Sequence, residues 1–242
     1  MATRLYVDTA FEIGSTLTLP ENAFRHWVQV LRARQGERAL LFDGRGVEVE
    51  VCLSEINKRD ARVQVLSRIE ADRESRLRLV LAQAVSKGDR MDYTLQKAVE
   101  LGVSEIMPVI SERSVVKLDA DRWDKKIEHW QGVIVSACEQ CGRNVLPRLH
   151  PVQKLGAWLD TYSFDGLRLT LAPTAASSLR DLPLTDSACL LVGPEGGLSE
   201  VEIDSAFRAG FTGLRLGPRV LRTETAGVAA LAAMQALWGD LG

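Results

Sequence analysis

One glycine-rich segment has the residue types and spacing of a ligand-binding loop. Gly193-Pro194-Glu195-Gly196-Gly197 follows an apolar run at 189–192, and Ser199 and Glu202 then have the spacing of a helix capping box. This order of strand, tight loop and helix is typical of α/β proteins, whose ligands bind at the carboxyl ends of strands. The segment has neither the GxGxxG spacing of dinucleotide sites nor a Walker A sequence. A plain strand-to-helix turn would explain it equally well.

A second segment, at 214–226, strengthens the prediction of a binding site. Residues 214–217 predict a short strand that ends in glycine, and Thr223 is a candidate N-cap for an alanine-rich helix extending to Trp238. Arg222 and Glu224 lie in this otherwise apolar stretch, where burying a charge is costly unless the charge is paired or used. The small alanines would let the helix pack closely against another helix or a second subunit. Two glycine-bearing strand ends therefore indicate one shared pocket.

The pattern of predicted strands and helices that must position these segments changes near residue 75. Before about residue 70 the sequence predicts short strands and one helix at 21–31, a pattern typical of a small β-barrel. The polar stretch 70–76 lacks periodicity and is the candidate linker. We therefore expect a first domain at 1–72 and a second at 76–242. The predicted strands of the first domain are 39–42, 47–51 and 61–66.

The second domain is predicted to be an α/β fold. Apolar strands alternate with amphipathic helices, which is typical of a parallel sheet covered by helices. Met91, Leu95 and Val99 share one face of a predicted helix, and these residues are expected in the core with Trp123 and Trp130. The predicted strands are 77–85, 106–110, 167–171 and 189–192, and the predicted helices are 91–101 and 121–139.

Composition narrows the class of protein. Of 242 residues, 46% are hydrophobic and 26% charged, which is typical of a soluble globular protein with one large domain or two modest ones. No apolar run approaches the roughly 18 residues needed to cross a bilayer, and no signal-peptide core is found at the start, so the cytoplasm is expected. The net charge of −2 excludes a globally basic nucleic-acid binder but leaves room for a local basic face.

Four cysteines, at 52, 138, 141 and 189, are too few and too scattered for a disulfide scaffold. Cys138 and Cys141 have CxxC spacing, but a structural zinc would need two further ligands, and only His129 and His150 lie near in sequence. We therefore predict no metal site.

Four motifs in a fixed order resemble one known family. They are SKGDRMDYTLQKAVELGV at 86–103, ACEQCGR at 137–143, VGPEGGLSEVEI at 192–203 and LGPRVLRTETA at 216–226. Together they resemble the bacterial 16S ribosomal RNA uridine N3-methyltransferases, which belong to the SPOUT superfamily. Arg4, the helix around His26 and Phe42-Asp43-Gly44 extend the resemblance into the first domain.

The resemblance implies a PUA-like β-barrel that holds RNA, followed by a SPOUT-type parallel sheet with a C-terminal trefoil knot. It also implies S-adenosyl-L-methionine as cofactor, a homodimer, and 16S ribosomal RNA, in the 30S subunit, as substrate. A knot would bring three loops together, so that backbone groups could recognise adenine. By motif match the cofactor-binding residues are Leu171, Ala172, Pro173, Val192, Gly193, Pro194, Glu195, Gly196, Gly197, Leu216, Gly217, Val220, Leu221, Arg222, Thr225 and Ala226.

Methylation at uridine N3 sets chemical requirements. N3 lies on the Watson–Crick edge, so the base must be unpaired or flipped out, and the N3 proton must leave. A cation near the uridine oxygens would stabilise the resulting anion, and Arg222 is the candidate. Glu139 or Glu224 could accept the proton, and the sequence leaves both open.

RNA contacts are expected from cations that bind phosphates and fix the register. Arg25, His26, Arg32 and Arg34 cluster on or just after the first-domain helix, although a solvated helix face is the alternative. The other predicted RNA-contacting residues are Arg4, Lys87, Arg90, Arg143 and Arg219.

Two other functions remain open from the sequence. Within the same superfamily the rival reaction is ribose 2′-O methylation. From another class, a noncatalytic RNA-binding or ribosome-assembly factor would use the barrel alone and would not need the two glycine-bearing segments. A nucleotide- or flavin-dependent enzyme is disfavoured by the absence of the usual phosphate-binding glycine spacing.

Overall fold

The computed structural model describes residues 2–116, 119–172 and 174–242. These residues form two compact units. The first runs to residue 74 and also contains residues 138–146. The second comprises residues 75–137 and 147–242. No helix in the described ranges is long and apolar enough to span a membrane.

The first unit is built on a five-stranded sheet with the order β1-β3-β4-β5-β2. β1 and β3 are parallel and the other pairs are antiparallel. Among the described strands β1 does not pair with β2, so the ladder is open where the sequence predicted a barrel. The strands are β1 (Arg4–Tyr6), β2 (Thr16–Thr18), β3 (Arg38–Phe42), β4 (Glu48–Ile56) and β5 (Ala61–Ile69).

Alternating side chains of these strands fill the core of the first unit. Val49, Val51 and Leu53 of β4 are all buried, as the period of two in the sequence predicted. The turn before β4 is held by Asp43, whose Oδ1 accepts the backbone N–H groups of Arg45 and Val47 at 2.8 and 3.0 Å. A short side chain thereby replaces backbone partners in a tight turn.

The predicted helix at 21–31 is in fact two different helices. α1 (Glu21–Phe24) continues as a π-helix over Arg25–Val30. Phe24 and Trp27 are buried as predicted, but Leu31 is 50% exposed. The N–H of Leu31 donates to the carbonyl of His26, a five-residue step that turns Leu31 away from the core face. Arg32 then adopts a φ of +58°, which ends the helix.

The second unit contains a parallel sheet with the order β12-β10-β11-β6-β7-β8, and β9 pairs with β7. β6 and β11 are almost completely buried, as predicted for central parallel strands. The strands are β6 (Arg78–Ala84), β7 (Val103–Ile110), β8 (Arg148–Leu149), β9 (Gln153–Lys154), β10 (Leu167–Leu171), β11 (Ser187–Val192) and β12 (Thr212–Leu214).

Helices pack on this sheet, and most were predicted. Met91, Leu95 and Val99 are fully buried, and so is Trp130, whereas Trp123 near the start of its helix is only half-buried. The helices are α2 (Asp89–Glu100), α3 (Ala120–Cys141), α4 (Leu155–Thr161), α5 (Glu200–Arg208) and α6 (Thr223–Trp238).

Two local predictions in the last segment were wrong. The strand predicted at 214–217 is β12, which ends at Leu214 because Arg215 N–H donates to the carbonyl of Ser177 and leaves the sheet. Thr223 is not the N-cap of α6 but its first residue, and Arg222 occupies the capping position without a side-chain cap.

Candidate functional site

A pocket of about 440 Å³ opens at the carboxyl ends of β10, β11 and β12. Neighbouring parallel strands end at the same edge of a sheet, so the three following loops meet there. The volume is within the range of small-molecule sites, roughly 300–1,000 Å³. The lining residues are Arg90, Leu171, Ala172, Val192, Gly193, Pro194, Glu195, Gly197, Leu198, Leu214, Leu216, Arg219, Val220, Leu221, Arg222, Thr223, Glu224 and Ala226.

Most of the residues predicted to bind the cofactor are brought together here. Gly196, Gly217 and Thr225 are not among the lining residues, and Pro173 lies outside the described residues. Leu198 and Leu214 line the pocket but were missed, because each belongs to an apolar stretch that predicts core equally well.

The glycine loop after β11 leaves little room for a side chain at its first position. A Cβ on Gly193 would lie 3.0 Å from the backbone nitrogen of Leu198 and 3.2 Å from the carbonyl carbon of Gly197. The predicted capping box is confirmed, since Ser199 Oγ accepts the N–H of Glu202 and Glu202 Oε2 accepts the N–H of Ser199. The loop is therefore fixed where α5 begins.

A hydroxyl joins this loop to the start of α6. Thr223 Oγ1 donates to the carbonyl oxygen of Gly193 at 2.6 Å. Thr223 Oγ1 in turn accepts a hydrogen bond from Gln83 Nε2 at 3.3 Å. Gln83 and Thr223 are both buried. Sequence reasoning placed Thr223 at a helix cap and did not identify Gln83, because the three partners are far apart in the sequence.

Three basic residues bind the glycine loop, two through their guanidinium groups and one through its backbone N–H. Arg90 pairs with Glu195 at 2.8 Å, and the N–H of Lys87 donates to the same carboxylate at 3.3 Å. Burial opposes ionisation of Glu195, but hydrogen bonds from its own N–H and from Arg90 hold its pKa below the ordinary value. Arg113, which lies outside the motifs, donates to the carbonyl of Gly196 at 2.9 Å.

Two ionisable residues of the pocket, Glu224 and Arg222, form no ion pair with any described residue. Glu224 Oε2 is buried and has no hydrogen-bond partner among the described residues. Arg222 is exposed at the pocket wall, with no carboxylate within ion-pair distance in the described ranges. The pocket lining thus contains a carboxylate oxygen without a described partner and an exposed cation.

The other predicted proton acceptor is committed elsewhere. Glu139 folds with the first unit, where its Oε1 accepts the backbone N–H of Tyr6 at 3.0 Å. Burial raises the pKa of Glu139 above the ordinary carboxyl value.

Two arginines predicted to contact RNA are buried in ion pairs of the first unit. Arg4 pairs with Glu48, and their side chains are 9% and 0% exposed. Arg143 is 5% exposed and binds Glu74 through Nε at 3.1 Å. Both guanidinium groups have structural partners, which the sequence prediction did not consider.

The remaining predicted RNA contacts are accessible. Arg25, His26, Arg32 and Arg34 of the first unit are exposed and form no ion pair with any described residue. Lys87 and Arg219 of the second unit are also exposed.

Cys138 and Cys141 both belong to the first unit, and Cys138 is buried. In the part of the chain that the structure describes, no group of three or more His, Cys, Asp or Glu could hold a metal ion. Burial raises the pKa of Cys138 to about 12, so this thiol stays protonated at neutral pH.

Comparison with known proteins places these observations in one family. Residues 73–235 match a family model described as the RNA methyltransferase domain, and residues 19–66 match one described as the RNA methyltransferase PUA domain. The Ribosomal RNA small subunit methyltransferase E of Buchnera aphidicola subsp. Schizaphis graminum is 32% identical, with 98% of this chain and 97% of that protein covered. That of Bacillus subtilis is 30% identical over 92% of this chain and 91% of its own length.

Solved structures match over the whole chain. A putative methyltransferase from Legionella pneumophila, in complex with the bound cofactor SAM, has a TM-score of 0.96 and 41% identity. A Ribosomal RNA small subunit methyltransferase E from Neisseria gonorrhoeae, bound to S-adenosyl methionine, has a TM-score of 0.94 and 43% identity. Both matches cover 100% of each chain.

Proposed function

This chain belongs to the family of RNA methyltransferases that includes the Ribosomal RNA small subunit methyltransferases E, and on that premise we propose its reaction. We propose that it transfers a methyl group from S-adenosylmethionine to N3 of a uridine in 16S ribosomal RNA. The observation that carries the proposal is the pocket formed by the three strand-end loops, in a fold shared over its full length with two SAM-bound structures.

The pocket suits the proposed cofactor. Its walls combine aliphatic side chains, such as Leu171 and Leu216, with the backbone of the glycine loop. This lining fits a flat adenine ring, whose edges can be recognised by backbone N–H and C=O groups. When bound, S-adenosylmethionine supplies an activated methyl group. The protein's own contribution is then to position the nucleophile and the proton acceptor.

Arg222 and Glu224 are the residues we propose for the proton chemistry. Loss of the N3 proton places negative charge on the uracil ring, and the exposed guanidinium of Arg222 can stabilise that charge. Between the two candidate acceptors we favour Glu224, because it lines the pocket and its Oε2 lacks a partner among the described residues. Glu139 already accepts the N–H of Tyr6 and has a raised pKa.

For RNA binding we propose the exposed cations of each unit. In the first unit these are Arg25, His26 and Arg32, and in the second Lys87 and Arg219. Arg25, Arg32 and Arg219 form no ion pair with any described carboxylate, so their guanidinium groups can bind phosphates. Arg4 and Arg143 are left out, because both are buried in ion pairs.

We also propose the trefoil knot, the homodimer and action on the 30S subunit in the cytoplasm. The path of the chain supports the knot. After edge strand β12 it returns past β10 so that α6 packs on α2 and β11. The half-buried alanines of α6 support the homodimer, because small side chains allow a second subunit to pack closely.

The test is methyl transfer to defined RNA. The protein is incubated with labelled S-adenosylmethionine and with 30S subunits, or naked 16S RNA, from a strain that lacks the modification. Nucleoside digestion and mass spectrometry should then give N3-methyluridine. A 2′-O-methylated nucleoside would replace our reaction with the rival one. No transfer by a protein that binds S-adenosylhomocysteine would refute the assignment to ribosomal RNA.

A further inference from the structure

A buried hydrogen-bond chain lies behind the pocket and links three parts of the sequence. It runs from Gln83 Nε2 to Thr223 Oγ1 at 3.3 Å, and from the Thr223 hydroxyl to the Gly193 carbonyl at 2.6 Å. Gln83 is 1 residue from the end of β6, Thr223 begins α6, and Gly193 begins the glycine loop. We infer that Thr223 is a positioning residue that fixes the distance between the two cofactor loops, and that Gln83 orients its hydroxyl.

The geometry of Thr223 supports this role over a local one. A threonine hydroxyl at the start of a helix usually caps its own helix. Here Arg222 occupies the capping position, and the Thr223 hydroxyl reaches instead to a residue 30 positions earlier. The two loops that it joins both line the pocket.

The donors and acceptors of the chain fix its direction. The Gly193 carbonyl can only accept, so the Thr223 hydroxyl must donate its single hydrogen there. The lone pairs of Thr223 Oγ1 then remain for the Gln83 amide, which also donates to the carbonyl of Ala84 at 3.0 Å. With its amide nitrogen held in this way, Gln83 keeps the hydroxyl pointing at the loop.

The loop has little freedom to compensate if the hydroxyl is lost. Gly193 packs against the backbone of Leu198, and Ser199 anchors the other end of the loop in a capping box. Without Thr223 Oγ1 the Gly193 carbonyl loses its donor, and a loop held at both ends cannot easily turn that carbonyl to another partner. This inference rests on the proposed function, because the two loops need a fixed distance only if they bind the cofactor between them.

The experiment compares Thr223→Val with Thr223→Ser, using S-adenosylhomocysteine as the calorimetric probe. Thr223→Val keeps the shape and removes the hydroxyl, and we expect its Kd for the probe to rise about tenfold. KM for S-adenosylmethionine should rise with it, while KM for RNA stays unchanged. Thr223→Ser keeps the hydroxyl, and its Kd for the probe should be within about twofold of the wild-type value. Thr170→Val is the matched control, because the Thr170 hydroxyl is buried without a partner in the described ranges.

The outcomes separate the two ideas. A wild-type protein that fails to bind the probe would overturn the proposed function and this inference together. Normal binding by wild type and an unchanged Kd in Thr223→Val, even with a lower unfolding midpoint, would overturn the inference alone. For Gln83 we expect Gln83→Met to weaken binding less, and to add nothing to Thr223→Val in the double variant. Additive losses would show that Gln83 does not act through Thr223.

Discussion

Replacing Gly193 with alanine tests whether the glycine loop is fixed by close backbone contact. The added Cβ would lie 3.0 Å from Leu198 N and 3.1 Å from Leu198 Cγ. The first of these atoms is backbone, immediately before the capping box of α5, so it cannot turn away as a side chain would. Relief must come from moving the loop by a few tenths of an ångström.

The size of the effect follows from this contact. Overpacking of this kind costs about 1–3 kcal/mol, which corresponds to a roughly 5- to 150-fold loss of affinity if it falls on the bound state. Calorimetry with S-adenosylhomocysteine gives the affinity, and thermal unfolding gives the stability. We expect Gly193→Ala to lose at least about tenfold in affinity and to unfold at a lower temperature.

Two other glycines provide graded controls. A Cβ on Gly196 would approach only the Arg113 side chain, at 3.4 Å, so Gly196→Ala should bind nearly normally. Gly132 in α3 has open space around its Cβ position, so Gly132→Ala should gain about 0.5–1 kcal/mol of stability and keep its affinity. Wild-type affinity and stability in Gly193→Ala, or an equal loss at Gly193 and Gly196, would refute the reasoning from backbone contact.

Three further outcomes are expected. Arg222→Ala should lower kcat by about 100-fold or more with unchanged circular dichroism, and near-normal turnover would contradict its role in stabilising the anion. Arg32→Ala should weaken RNA binding and reduce by about one the slope of log affinity against log salt concentration, measured by filter binding. A changed cofactor affinity would contradict our placement of Arg32 in the RNA-binding surface. Burial raises the folded-state pKa of Glu139, so the stability this carboxyl contributes is present at acid pH and is lost as pH rises through that pKa. Glu139→Gln should therefore melt above wild type at about pH 7 and lose this advantage near pH 4, and a constant difference would contradict the prediction.

Periodicity made much of the second unit predictable. The largely apolar sequences of β6 and β11, and the spacing of Met91 and Leu95 in α2, predicted the correct element types because burial determines those patterns. The π-helix was not predictable in this way. Its residues have the same apolar spacing as an α-helix, and only the five-residue hydrogen-bond step reveals it.

The pocket was predictable in outline but not in its connections. Motifs identified the loops, because glycines and charges in an apolar setting are unusual. The Thr223–Gly193 hydrogen bond could not be foreseen, since it joins residues that only tertiary structure brings together. The burial of Arg143 was missed for the same reason, because its partner Glu74 is 69 residues away in the sequence.

Two separate segments of the chain form the first unit, and this has a consequence for synthesis and for gene rearrangement. Because this unit includes residues 138–146, the chain must pass between the units three times. A nascent chain cut off at residue 74 has no Glu139 to accept the Tyr6 N–H and no Arg143 to pair with Glu74. The unit can therefore be finished only after residue 146 has left the ribosome. A gene fragment that encodes only residues 1–74 would therefore not transfer the complete first unit to another protein.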